Sequence, residues 1–88
     1  MGQRGNKMFT QAEWAKLADA LALSPRQAEI VQLLCDGHKN YSVAQALGIS
    51  PETVRTHVRR LYGKLGVTDR TELLCLLVHT ARNACPPD

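Results

Sequence analysis

Four cationic side chains, Arg55, Arg59, Arg60 and Lys64, fall within ten residues of sequence, and Glu52 is the only acid between Ile49 and Gly66. A guanidinium group presents a planar fork of donors that fits the paired acceptors of a guanine edge or of a phosphate. Thr56 adds a methyl group that can touch thymine and a hydroxyl that can accept a hydrogen bond. The chemistry these residues offer is recognition of a polyanion. The charge is concentrated: residues 38–70 hold six Lys/Arg and two acids, a net +4 against +3 for all 88 residues. The sequence pI of about 9.0 agrees with a polyanionic partner.

A helix must position these groups. Val54, Val58, Leu61 and Leu65 recur at spacings of 4, 3 and 4, which is one face of an α-helix. With a step of about 100° per residue, these four lie within about 40° of a common direction. Glu52, Thr56, Arg59 and Gly63 lie on the opposite side, flanked by Arg55 and Arg60. Such a helix has one face for a core and one for the major groove of B-DNA, which admits a single helix. Arg55, Thr56 and Arg59 are the candidates for base edges. Arg60 and Lys64 lie further round, towards the phosphate walls. Glu52 suits the positive end of the helix, His57 a packed position and Tyr62 the groove margin. Gly63 on the outward face has no explanation from the sequence.

Punctuation residues divide the chain into five predicted helices. Thr10 and Glu13 form a capping box, with Phe9 stapled onto Trp14, for a helix to about Leu21. Ser24, Pro25 and Gln27 open a second helix that Gly37 closes. Asn40 caps a short third helix with Val43, Ala44 and Leu47 inward and Gly48 at its end. Ser50 caps the fourth, helix 51–65, with Pro51 first, Ile49 stapled onto Val54 and Gly66 as terminator. Asp69 and Glu72 form a further capping box before a last helix rich in leucine. Two helices joined by a short glycine-containing turn, the second one basic, form a helix-turn-helix pattern. Lys39, Asn40, Tyr41, Ser42 and Thr53, at the starts of the third and fourth helices, are candidates for phosphate contact, with backbone N–H groups beside them. The expected fold is all-α: a helix-turn-helix four-helix domain with one extra N-terminal helix. Its expected parts are an arm and extra helix at 1–22, the domain at 23–83 and a tail at 84–88.

The remaining composition excludes other classes. No apolar run of about 20 residues spans a membrane, and no secretory pattern opens the chain. Three cysteines without C-x-x-C argue against a disulfide framework, so the expected localisation is cytoplasmic. Cys35 and Cys75 read as small buried residues, and Cys85 falls in the tail. His38, His57 and His79 have no metal-ligand spacing, and Cys35 with His38 is too little for zinc. No catalytic residue, metal or cofactor is expected, and the protein is read as a non-enzyme.

The segments "LSPRQAEIVQLLCDG", "VAQALGISPETVRTHVRRLYGKLGV" and "DRTELL" resemble the LuxR/GerE-type helix-turn-helix domain, also found at the ends of response regulators. The resemblance covers residues 23–78. It implies a four-helix DNA-binding domain whose third helix, here the fourth, reads the major groove, and whose last helix forms a dimer contact. It places base reading on Arg55, Thr56 and Arg59, and phosphate contact around Asn40, Thr53, Arg60 and Lys64. It also gives the surplus apolar residues of the last helix a use, with Leu73, Leu76, Leu77 and Thr80 as the dimer interface. The alternative is that those leucines pack on the extra Trp14 helix. Two positions depart from the family pattern: Tyr41-Ser42 stands where members often have Lys-Glu, and Gly63 where they often have a longer residue. No receiver or ligand-binding domain precedes residue 23, and Met1 with the extra helix favours a stand-alone regulator over a fragment.

The expected function is a sequence-specific DNA-binding transcriptional regulator acting as a homodimer. Its partners are double-stranded DNA and a second copy, with RNA polymerase a further candidate and no membrane. Two rivals stay open. One is a sigma-factor region-4-like promoter recognition domain, which would be monomeric alone. The other is a protein-interaction module that keeps the fold without DNA.

Overall fold

The computed structural model describes residues 9–84, so the expectations for 1–8 and for Cys85, Pro86 and Pro87 lie outside the described residues. Five helices follow in order: α1 (Gln11–Ala20), α2 (Pro25–Cys35), α3 (Asn40–Leu47), α4 (Pro51–Leu65) and α5 (Arg70–Ala84). The described residues contain no strand, and the fold is all-α with a helix-turn-helix formed by α3 and α4.

Local chemistry sets most of the helix ends. The Thr10 hydroxyl accepts from Glu13 N at 3.1 Å while Thr10 N donates to Glu13 Oε1 at 2.8 Å. Ser24 and Gln27 make the same reciprocal pair at 3.1 and 2.9 Å. Phe9 meets Trp14 edge to face, with ring centroids 5.1 Å apart, which is the expected staple. Gly37, Gly48 and Gly66 all adopt the left-handed conformation after their helices. The residue after each glycine closes a bond back over the last turn: His38 N to Leu33 O, Ile49 N to Ala44 O and Val67 N to Tyr62 O.

Two starts differ from expectation. Asn40 does not cap α3. Val43 N bonds to the Lys39 carbonyl at 2.9 Å, so Lys39 is the N-cap and Asn40 is already helical. Lysine has no acceptor to offer, and α3 has no side-chain cap. Before α5 only half of the box forms. Asp69 Oδ1 accepts from Glu72 N at 2.9 Å, while the Glu72 carboxylate turns to Thr68 N and Oγ1 at 2.8 and 3.0 Å.

One core joins all five helices. Its fully buried members include Leu17 of α1, Ile30 and Val31 of α2, Val43 of α3, Val54 and Leu61 of α4, and Leu73 and Leu77 of α5. The closest packing is of α3 on α4 and of α1 on α5. Leu73 and Leu77 are therefore core residues of the protomer, which corrects their assignment to a dimer interface. The extra helix supplies their cover. Leu76 and Thr80 are only half-buried, and Leu76 is not among the residues packed on the core. Cys75 is exposed rather than buried. Cys35 is partly buried, and its thiol is pushed up to about 12 by burial and by the Asp36 carboxylate, against the pull of Arg70.

Because Leu17 is fully enclosed between α1 and its neighbours, Leu17→Ala is expected to cost about 2–5 kcal/mol in urea unfolding. A cost near zero would mean that α1 is only an appended arm.

Candidate nucleic-acid interface

The outward face of α4 is built by exclusion. Burying Val54 and Leu61 completely, with Val58 and Leu65 half-buried beside them, fixes the rotation of the helix to within a fraction of a turn. Arg55, Thr56, Arg59, Arg60 and Gly63 are left in solvent. Ser50 caps the helix through Thr53 N at 3.1 Å and shares a 2.8 Å hydroxyl–hydroxyl bond with Thr53. The arginines have no acidic partner among the described residues. The one ion pair found there is Arg26–Glu29, at 3.8 Å, on α2. Glu52 stays exposed in the first turn, where the helix dipole favours it.

The Thr56 hydroxyl donates to the Glu52 carbonyl at 3.1 Å, a back-bond to the preceding turn. Its one proton is thereby used, leaving a methyl group and an oxygen lone pair for any ligand. Lys39 and Tyr41 are exposed at the start of α3, and Tyr41, at 64% exposure, is the only exposed large apolar side chain among the described residues. Asn40 and Ser42 are half-exposed beside them. The sequence-predicted groups at the starts of α3 and α4 are thus exposed or half-exposed, as Arg55 and Arg59 are exposed.

Lys64 is exposed too, but its ammonium has partners within the chain. Its ammonium donates to the Ala22 carbonyl and, at 3.1 Å, to Gln27 Oε1. It is thus tied to the turn between α1 and α2 and to the first turn of α2, a contact that the sequence does not announce. Arg70, counted in the sequence only as charge, has a structural contact too: its Nη1 donates to the His38 carbonyl at 3.5 Å, tying the start of α5 to the α2–α3 link. Sequence reasoning missed both ties. The distances along the chain, 42 and 32 residues, leave no local pattern to find. His57 is half-buried, as expected of a packed histidine, and Tyr62 packs against the core. Partial burial raises the Tyr62 hydroxyl above its ordinary pKa, opposed by Arg70.

Among the described residues no group of three or more His, Cys, Asp or Glu could hold a metal ion, and no helix is long and apolar enough to cross a membrane.

Comparison with known proteins agrees with this geometry. The family model of bacterial regulatory proteins of the luxR family matches residues 21–77. The bialaphos biosynthetic pathway regulatory protein of Streptomyces hygroscopicus is 41% identical over 64 residues, covering 73% of this chain and 25% of its own. YhjB of Escherichia coli is 36% identical over 75 residues, 80% of this chain and 38% of its own. The HTH-type transcriptional regulator MalT of Yersinia pestis is 33% identical over 67 residues, 76% of this chain and 7% of its own. The chain therefore spans well under half the length of these relatives. No solved structure gives a significant match.

Gly63 remains the odd residue of the outward face. It is helical, and a Cβ placed on it meets nothing within 4 Å. Gly63→Ala is expected to raise stability by about 0.5–1 kcal/mol, the helix-propensity difference, in urea unfolding of the free protein. Destabilisation would reveal a steric demand inside the chain that the structure does not contain.

Proposed function

Because the chain belongs to the luxR family of bacterial regulatory proteins, a helix-turn-helix DNA-binding family, we propose that α4 reads the major groove of duplex DNA for transcription regulation, two copies binding together. The observation that carries this reading is the α4 face itself: Arg55 and Arg59, one turn apart, exposed and without an acidic partner among the described residues. Both guanidinium groups can address guanine edges, each bidentate contact discriminating by about 1–3 kcal/mol. Thr56 contributes its methyl group against thymine, since its proton is already given to the Glu52 carbonyl. The relatives whose names specify transcriptional regulation support the same reading.

Phosphates flank this face. The start of α3 suits one, because its leading N–H groups have no side-chain acceptor and Lys39 stands beside them. Asn40, Tyr41 and Ser42 border that position, Thr53 adds a hydroxyl at the start of α4, and Arg60 lies on the opposite wall. Lys64 is left out of this set, its ammonium being engaged elsewhere.

Arg55→Ala or Arg59→Ala is expected to cost about 1–3 kcal/mol on preferred DNA and to relax one base position. Arg60→Ala should instead weaken preferred and random duplexes alike, and flatten the salt dependence by about 0.9 in log–log slope. Selecting preferred duplexes from a random pool and titrating each variant on both measures this. If Arg59→Ala weakens both kinds of DNA equally, the base-reading role is wrong.

The second copy is proposed on the part of α5 that the core leaves free, with Leu76 and Thr80 as its candidates. Half-sites should then lie about one helical turn apart. Leu76→Asp is expected to leave the thermal transition in place and to abolish cooperative two-to-one binding on paired half-sites, read by sedimentation with DNA. Unchanged cooperativity would exclude this face.

A further inference from the structure

The reading of α4 as the DNA helix leaves one group without a role, the ammonium of Lys64. A lysine in the last turn of a basic helix is well placed for a phosphate. Here it is held by two neutral oxygens of another part of the fold. One is the carbonyl of Ala22 and the other is Gln27 Oε1. Gln27 Oε1 also accepts from Ser24 N at 2.9 Å, so a single atom serves both the capping box of α2 and the far end of α4. Ala22 has φ +54, the only non-glycine residue with positive φ among those described. Leu23 N and Ala22 N bond back to Ala18 O and Asp19 O at 2.8 and 3.2 Å, turning the Ala22 peptide at the end of α1. A residue without glycine's freedom persists there only where its surroundings hold it.

The position of the tie gives it leverage. The rest of α4 is seated by an apolar stripe, and apolar packing is non-directional. Val58 and Leu65 are only half-buried at the edges of the stripe, so apolar packing sets the rotation of α4 to a fraction of a turn and no more finely. Hydrogen bonds are directional, and the two from Lys64 are the only side-chain bonds from α4 to another element among the described residues. We infer that Lys64 is a positioning residue. It sets the rotation of α4 against the turn between α1 and α2, and so aims Arg55 and Arg59, while phosphate binding is left to other groups. The turn after α1 and the first turn of α2, whose Ala22 and Gln27 hold the ammonium, thereby become part of the recognition apparatus. The inference rests on α4 being the reading helix.

The test uses the whole chain with Lys64→Met, Gln27→Leu, the double variant, and Ser24→Ala as a control that breaks the capping box but leaves both acceptors of Lys64. Affinities are measured for preferred and random duplexes across a salt series, at a temperature where every variant is folded. Lys64→Met and Gln27→Leu should each lower affinity for preferred DNA about three- to tenfold, the worth of a hydrogen bond. Random DNA and the salt slope should not change. The double variant should be no weaker than the weaker single, and Ser24→Ala should keep its discrimination. In the DNA complex, nuclear Overhauser contacts between the Lys64 side chain and Ala22 should persist.

A phosphate role overturns the inference. It would appear as equal loss on both duplexes after Lys64→Met, a slope reduced by about 0.9, and a silent Gln27→Leu. Unchanged discrimination in both single variants also overturns it. Failure of the underlying reading looks different: Arg59→Ala would then leave discrimination intact.

Discussion

The structure depends on one helix having to satisfy two incompatible solvents. Val54 and Leu61 of α4 are fully buried, each such side chain contributing about 1.5–3 kcal/mol. Arg55, Arg59 and Arg60 on the same helix must stay in water, because an unpaired buried charge costs several kcal/mol. These requirements fix which way α4 faces. The other elements complete the wall against which it sits. Val43 and Ala44 of α3, which packs on α4, are buried in the same core. The left-handed Gly48 and the bond from Ile49 N to Ala44 O then fix the turn that joins the end of α3 to the start of α4.

The second pairing, α1 with α5, follows from the same physics with a different outcome. α5 carries apolar residues round most of its circumference. Leu73 and Leu77 form one stripe and Leu76 and Thr80 a neighbouring one, each pair four residues apart. Periodicity identifies faces but does not name what covers them. The packing of α1 on α5, with Trp14 and Leu17 buried in the same core as Leu73 and Leu77, decides the matter. The sequence offered both a second copy and the Trp14 helix as cover for these leucines. Burial assigns Leu73 and Leu77 to the protomer and leaves Leu76 outside the core.

Features that depend on neighbours in sequence were legible. The capping boxes at Thr10 and Ser24, the Ser50 cap, the Phe9–Trp14 staple, the three glycine terminators and the buried stripe of α4 all follow from spacings of six residues or fewer. The outward face of α4 follows from that stripe. What escaped depended on distant partners or on competition between close alternatives. Lys64 with Ala22, and Arg70 with His38, join segments more than 30 residues apart. Asn40 is a better cap than Lys39 by residue preference, yet the core positions of Val43 and Ala44 start the helix one residue earlier. Cys75 has the composition of apolar filling, but it falls on the solvent side of α5 once Leu73 and Leu77 define the inner side.

The uncapped start of α3 is more than a missed boundary. The chain spends a side-chain acceptor at the starts of α1, α2, α4 and α5. At α3 it has Lys39 instead, which forgoes about 1 kcal/mol relative to a capping residue. A lysine there also sets positive charge against the positive end of the helix dipole, a further cost in the free protein. Both penalties have the same sign in the absence of an anion, and both are relieved by one. A phosphate would accept from the free N–H groups and neutralise the Lys39 ammonium together. On the proposed docking, Asn40 at the first helical position reinforces this, since its side chain is not used to cap the helix to which it belongs. The start of α3 is thus the one described helix start, of those compared, without a side-chain acceptor, and on the proposed docking it would take a phosphate beside the bases that α4 reads. The free protein is less stable at this end than its sequence could have made it, and binding DNA would recover the difference as affinity.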